Sequence, residues 1–133
     1  MDESLGKLME DQHFKFTRFE KKEEVDIFSD YFYYYMVNGM EGYIKINLIK
    51  TENPFICVIT YGLPRQIDEN DMKSFWMNRL FAKKCSQFQS ELTQITPYNV
   101  KLEVIVELNK QNMISSFLHF LYFRSRRLKT KKG

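Results

Sequence analysis

The sequence predicts an α+β domain: an antiparallel β-meander of four to five strands, one long helix packed across a face, then a further strand and a C-terminal helix. Three observations carry this. Between Phe14 and Tyr61, runs of aromatic and β-branched residues alternate with turn residues. An apolar stripe at helical spacing then extends from near Asp68 to Ile95. Alternation returns over residues 100–108, and an apolar helix follows.

Residues 1–12 hold Leu5, Leu8 and Met9 at helical spacing, which reads as a short helix or a mobile arm. Phe14 and Phe16 alternate with Lys15 and Thr17 and predict a strand. Glu20-Lys21-Lys22-Glu23 reads as a turn and Val25 to Phe28 as the return strand, with a helix over 20–29 as the alternative. The next strand is Tyr31-Phe32-Tyr33-Tyr34-Tyr35-Met36-Val37. Its odd positions, Tyr31, Tyr33 and Tyr35, share one face; Phe32, Tyr34 and Met36 share the other. One set belongs to the core, and the other is covered by a partner or exposed as a platform. Tyrosine at three alternate positions favours a half-wet face, because each hydroxyl needs a partner or water.

Asn38-Gly39 and Glu41-Gly42 supply turn chemistry. A strand over residues 43–50 puts Ile44, Ile46 and Leu48 on one face and Lys45 and Asn47 on the other. After Asn53-Pro54, residues 55–61 are apolar on both faces, as in a central strand covered on both sides or one near an interface. Asp68 and Asp71 suit the start of the long helix. Met77, Phe81, Cys85, Phe88, Leu92 and Ile95 form its stripe, which Phe75, Trp76 and Leu80 widen, and Thr96-Pro97 stops it. The last strand turns Lys101, Glu103 and Glu107 outward. Asn112 then caps a helix that runs to Phe123 and is apolar almost all round near its end.

Residues 1–123 therefore read as one domain, and residues 124–133 as a basic tail. The formal net charge is +3, and the last ten residues hold six basic residues and no acid, so the body is net acidic. Two cysteines make no disulfide framework, and the N-terminus lacks a signal-peptide pattern, so an intracellular setting is expected, nuclear if the host is eukaryotic.

Little points to catalysis. The only histidines are His13 and His119, the five glycines form no phosphate loop, and Cys57 and Cys85 lack zinc-ligand spacing. The acidic run Glu23-Glu24-Asp26 reads as a solvated loop, and Asp68-Glu69-Asp71 as helix capping. No catalytic residue, metal or cofactor is predicted, and the chain is expected not to be an enzyme.

The expected function is a non-catalytic protein–protein interaction module, a subunit or adaptor of a multiprotein complex that is nuclear or nucleic-acid-associated. Aromatics make up 16% of the chain, more than one small sheet and one helix readily cover, so another chain is expected to complete the apolar surface as a hetero-complex or a homodimer. Phe117, Leu121 and Phe123 are the first candidates for partner contact, followed by Tyr33 and Tyr35. Arg124, Arg126, Arg127, Lys129, Lys131 and Lys132 are candidates for phosphate contact or a nuclear address, and a phosphate on Ser125 or Thr130 would weaken either use. The alternative is a single-stranded nucleic-acid-binding protein using the aromatic strand and the basic tail, with Lys45, Lys50 and Lys101 as a small patch if their strands are adjacent. An anionic membrane surface ranks third, because the polar face of the last helix is thin.

Overall fold

The computed structural model describes residues 2–25, 28–49, 55–76, 79, 83, 91–96, 98–106 and 111–128. The order is α1 (Asp2–Glu10), β1 (Phe16–Val25), β2 (Phe28–Val37), β3 (Met40–Ile49), β4 (Phe55–Gly62), α2 (Glu69–Trp76), β5 (Glu91–Thr96), β6 (Asn99–Val106) and α3 (Gln111–Ser125). The strands form one antiparallel sheet in the order β1-β2-β3-β4-β6-β5. Four strands meander, and a late hairpin then docks β6 against β4. The α+β class and the meander are as expected.

Asn38 and Gly39 turn β2 into β3 with both residues at positive φ, 52° and 76°. That geometry matches the twist of a tight hairpin. The register then sorts the side chains. Tyr33 faces Ile44 and Ile44 faces Tyr61; Tyr31 faces Ile46 and Ile46 faces Ile59; Leu48 faces Cys57. These residues form the buried inner face. Leu5, Leu8 and Met9 of α1, Met72 and Phe75 of α2, and Ile114, Phe117, Leu118 and Leu121 of α3 close over it as one apolar cluster. Asp68 caps α2, its Oδ1 accepting from the Asn70 and Asp71 amides at 2.9 and 3.4 Å.

Two glycines inside strands make room for rings. Gly42 lies opposite Tyr35 on the inner face, where an added Cβ would fall 2.4 Å from the tyrosine oxygen. Gly62 lies opposite Tyr43 on the outer face, where a Cβ would fall 2.3 Å from the ring. Gly42 is therefore a strand residue and not part of the turn.

Three expectations are corrected. The predicted helix over 68–95 gives way to a short α2 ending at Trp76, with Arg79 and Lys83 also helical. Leu92 and Ile95 belong to β5, where β-branched Thr93, Ile95 and Thr96 suit the pleat against β6. Met77, Leu80, Phe81, Cys85 and Phe88 lie outside the described residues. Glu20-Lys21-Lys22-Glu23 is no turn but the middle of β1, a sheet-edge strand, where charged side chains are common. The third concerns the domain end. Helix α3 runs through Arg124 and Ser125, and a further turn brings Leu128 back into the core. Asn38 Nδ2 donates to the Arg126 and Leu128 carbonyls at 3.1 Å each, tying the β2–β3 turn to this segment. Residues 129–133 lie outside the described residues.

Candidate interaction surface

Strand β1 pairs only with β2 among the described residues, and no described strand occupies its other edge. Its register shifts between Phe16 and Arg18. This bulge changes which residues face which way. Phe16 and Phe19 come opposite Tyr35 and Tyr33 on the inner face, while Arg18 comes opposite Tyr34 on the outer face.

Phe19 stands at the margin of the helical cover and is 50% exposed. It forms one wall of an open groove of about 520 Å³ between α1 and the β1–β2 ribbon. Gly6, Met9, Phe16, Tyr31 and Tyr33 supply most of the remaining lining, and Glu10, Arg18 and Lys21 sit at the rim. Gly6 contributes space: a Cβ added there meets nothing within 4 Å.

A seam of rings leads away from the groove. Phe19 and Tyr33 lie 4.8 Å apart, Tyr33 and Phe16 5.3 Å, Phe16 and Phe14 6.0 Å, and Phe14 and Tyr122 5.3 Å. Tyr122 meets Phe123 at 5.3 Å, and Phe123 packs on His119 at 4.6 Å and His13 at 5.6 Å. The two histidine rings are 4.2 Å apart. An apolar band thus runs beside β1 with a half-exposed phenylalanine at each end, since Phe123 is 45% exposed.

The expected partner residues are distributed differently from the prediction. Only Phe123 is presented to solvent. Phe117, Leu121 and Tyr35 are buried within the chain's own core, while Tyr33, also buried, reaches the surface only as part of the groove lining. The Tyr35 hydroxyl donates to the Gly62 carbonyl at 2.8 Å, so it is satisfied inside the protein without water. Burial pushes that hydroxyl well above its ordinary range, and the Tyr61 hydroxyl to about 12. The Cys57 thiol is likewise buried and pushed up to about 12, which suppresses its thiolate.

Of the basic candidates, Arg126 and Arg127 are exposed, Arg124 is half-buried, and Lys129, Lys131 and Lys132 lie outside the described residues. Ser125 is fully buried, its hydroxyl donating to the Tyr122 carbonyl at 2.8 Å, so a phosphate there requires local unfolding. Thr130 lies outside the described residues.

Phe16, Phe19 and Gly6 were not foreseen as site residues. Their signal was weak, because a one-residue bulge decides which face Phe19 occupies.

Among the described residues, no three His, Cys, Asp or Glu side chains are grouped to hold a metal ion, and no helix is long and apolar enough to cross a membrane. No family model, no curated protein and no solved structure matches this chain.

Proposed function

We propose that this protein is a non-catalytic interaction module that takes an extended segment of a partner protein along the β1 edge, with an apolar side chain in the groove beneath Phe19. The observation carrying this reading is the coincidence of a strand edge that no described strand occupies with an apolar groove beside it. Strand addition supplies main-chain hydrogen bonds, and a pocket for alternate side chains supplies selectivity. Fully burying one leucine- or phenylalanine-sized side chain contributes roughly 1.5–3 kcal/mol. Lys21 and Lys22 on the edge disfavour a second β1 paired about either lysine, since like charges would then oppose each other. They favour a segment with acidic residues beside its apolar anchor.

In this reading the module is a subunit or adaptor of a larger complex. The exposed Arg126 and Arg127, with Lys129, Lys131 and Lys132, serve as a nuclear address or a phosphate contact for a nucleic-acid-associated assembly.

Selection of a random peptide display library on the immobilised protein tests the reading. Recovered peptides should carry an apolar anchor flanked by acids. They should lose binding to Phe19→Asp and to Gly6→Leu, which adds a side chain at a groove-lining position where a Cβ meets nothing within 4 Å. Peptides that bind both variants as tightly as the parent protein would overturn it.

A further inference from the structure

On the face of the sheet opposite α1, α2 and α3, the register lines up two rows of residues. One runs Arg18, Tyr34, Tyr43, Gly62. The next runs Glu20, Phe32, Lys45, Thr60, Lys101. The rings of Phe32, Tyr34 and Tyr43 form a triangle with centroids 6.3 to 6.5 Å apart. All three are half-buried and stand on rigid strands. Tyr43 is fixed from two sides: its ring lies over Gly62, and its hydroxyl donates to Asn99 Oδ1 at 2.6 Å.

Cations surround the triangle. The Arg18 guanidinium lies 3.6 Å above the Tyr34 ring, and the Lys22 and Lys45 ammonium groups lie 5.2 and 5.3 Å from the Phe32 ring. Lys45 and Lys101 flank Thr60 from either side, which realises the patch expected if their strands were neighbours; Lys50 lies outside the described residues. Among the described residues Lys22, Lys45 and Lys101 pair with no carboxylate. Arg18 does, bonding Glu20 at 2.9 Å and Glu41 at 3.2 Å. Asp30, opposite Lys22 on that face, accepts from Asn47, and the register places Glu103 of β6 in the same row, two residues beyond Lys101.

From this geometry we infer that the outer face binds single-stranded nucleic acid, with bases stacked on Phe32, Tyr34 and Tyr43 and phosphates held by Lys22, Lys45 and Lys101. Stacking asks only for a π-face, which every base has, so binding should be tolerant of sequence. Charge complementarity selects this occupant: Lys22 and Lys45 lie against the Phe32 ring, and Lys101 stands further along the same row, with no ion pair among the described residues. Duplex is disfavoured, because its bases are already stacked and present only their edges. This face is on the other side of the sheet from the groove, so the inference does not depend on the peptide-binding reading. It also moves the expected platform from Tyr33 and Tyr35 to the opposite side of the same strand.

The test is fluorescence anisotropy with a labelled oligothymidylate of about twelve nucleotides, long enough to cross several strands. Binding at low salt should weaken roughly tenfold in Tyr34→Ala. Three phosphate contacts on a single strand give a log–log salt slope of about −2, and Lys45→Ala should make it shallower by about 0.7. Replacing Glu20 and Glu41 together with glutamine should tighten binding by freeing Arg18 of both carboxylates. Replacing Lys129, Lys131 and Lys132 with alanine should leave the Tyr34-dependent binding in place. Circular dichroism accompanies each variant; if Tyr34→Ala loses its fold, Lys45→Glu replaces it. No binding at low salt overturns the inference. So does binding that survives Tyr34→Ala, that vanishes with the tail lysines alone, or that polyglutamate displaces as well as the oligonucleotide does.

Discussion

Replacing Gly42 with alanine is expected to destabilise the protein by about 2–6 kcal/mol. The new methyl carbon would fall 2.4 Å from the Tyr35 oxygen, 2.5 Å from its ring and 2.7 Å from the Gly62 carbonyl oxygen. Tyr35 has nowhere to retreat: it is fully buried, with Tyr61 stacked at 5.7 Å and Phe14 at 4.8 Å. Overpacking of this kind costs roughly 1–3 kcal/mol. If the ring shifts, the hydrogen bond to Gly62 is lost and a buried carbonyl is left unsatisfied, which adds about 1–3 kcal/mol. That is a large fraction of the roughly 5–15 kcal/mol that holds a domain together. Urea unfolding followed by circular dichroism measures it. In the Tyr35→Phe background the alanine should cost about 1 kcal/mol less, because the closest atom is gone. A loss under about 0.5 kcal/mol, or strict additivity of the two changes, would refute the reasoning.

Other outcomes follow from the same core. Stability should fall at alkaline pH. Burial raises the Cys57 thiol from 9.0, and the Tyr61 hydroxyl from 10.0, to about 12 each, so the unfolded chain loses these protons first. Their contribution is complete below about pH 9 and is lost as pH rises toward 12, reaching about 4 kcal/mol by pH 11 at roughly 1.4 kcal/mol per unit per group. Urea midpoints that stay flat from pH 8 to 11 would contradict this; Cys57→Ala should make the decline shallower. Leu121→Asp should abolish folding and not merely assembly, because it puts a charge at a fully buried site. A cooperative thermal transition in that variant would count against the packing described. Asn38→Ala should cost about 1–2 kcal/mol and open residues 124–128 to limited proteolysis, since its side chain bonds two carbonyls there.

The meander was readable because its alternation is clean and Asn38-Gly39 is a strong hairpin signal. Strand β5 was not. Leu92 and Ile95 continue a helical spacing by chance, and only pairing with β6 shows that their backbone is extended. The tyrosine strand misled in a physical way. Three hydroxyls argued for a wet face, yet Tyr35 finds an internal carbonyl and Gly42 clears space for its ring. Among the described residues Phe14, Tyr31, Tyr33, Tyr35, Tyr61, Phe75 and Phe117 are spent inside, and the nearly all-apolar last helix is covered by the sheet and α1, with Phe123 left out. The groove depends on a bulge at the start of β1, and a single extra residue there leaves no compositional trace.

The most direct measurement is amide hydrogen exchange across the protein with and without a display-selected peptide. Alternate amides of β1 point away from β2 and have no partner strand among the described residues. The account predicts that bound peptide slows exchange at these amides and at Met9 and Phe19 beside the groove. Protection confined to α2 or α3, with β1 unchanged, would contradict it.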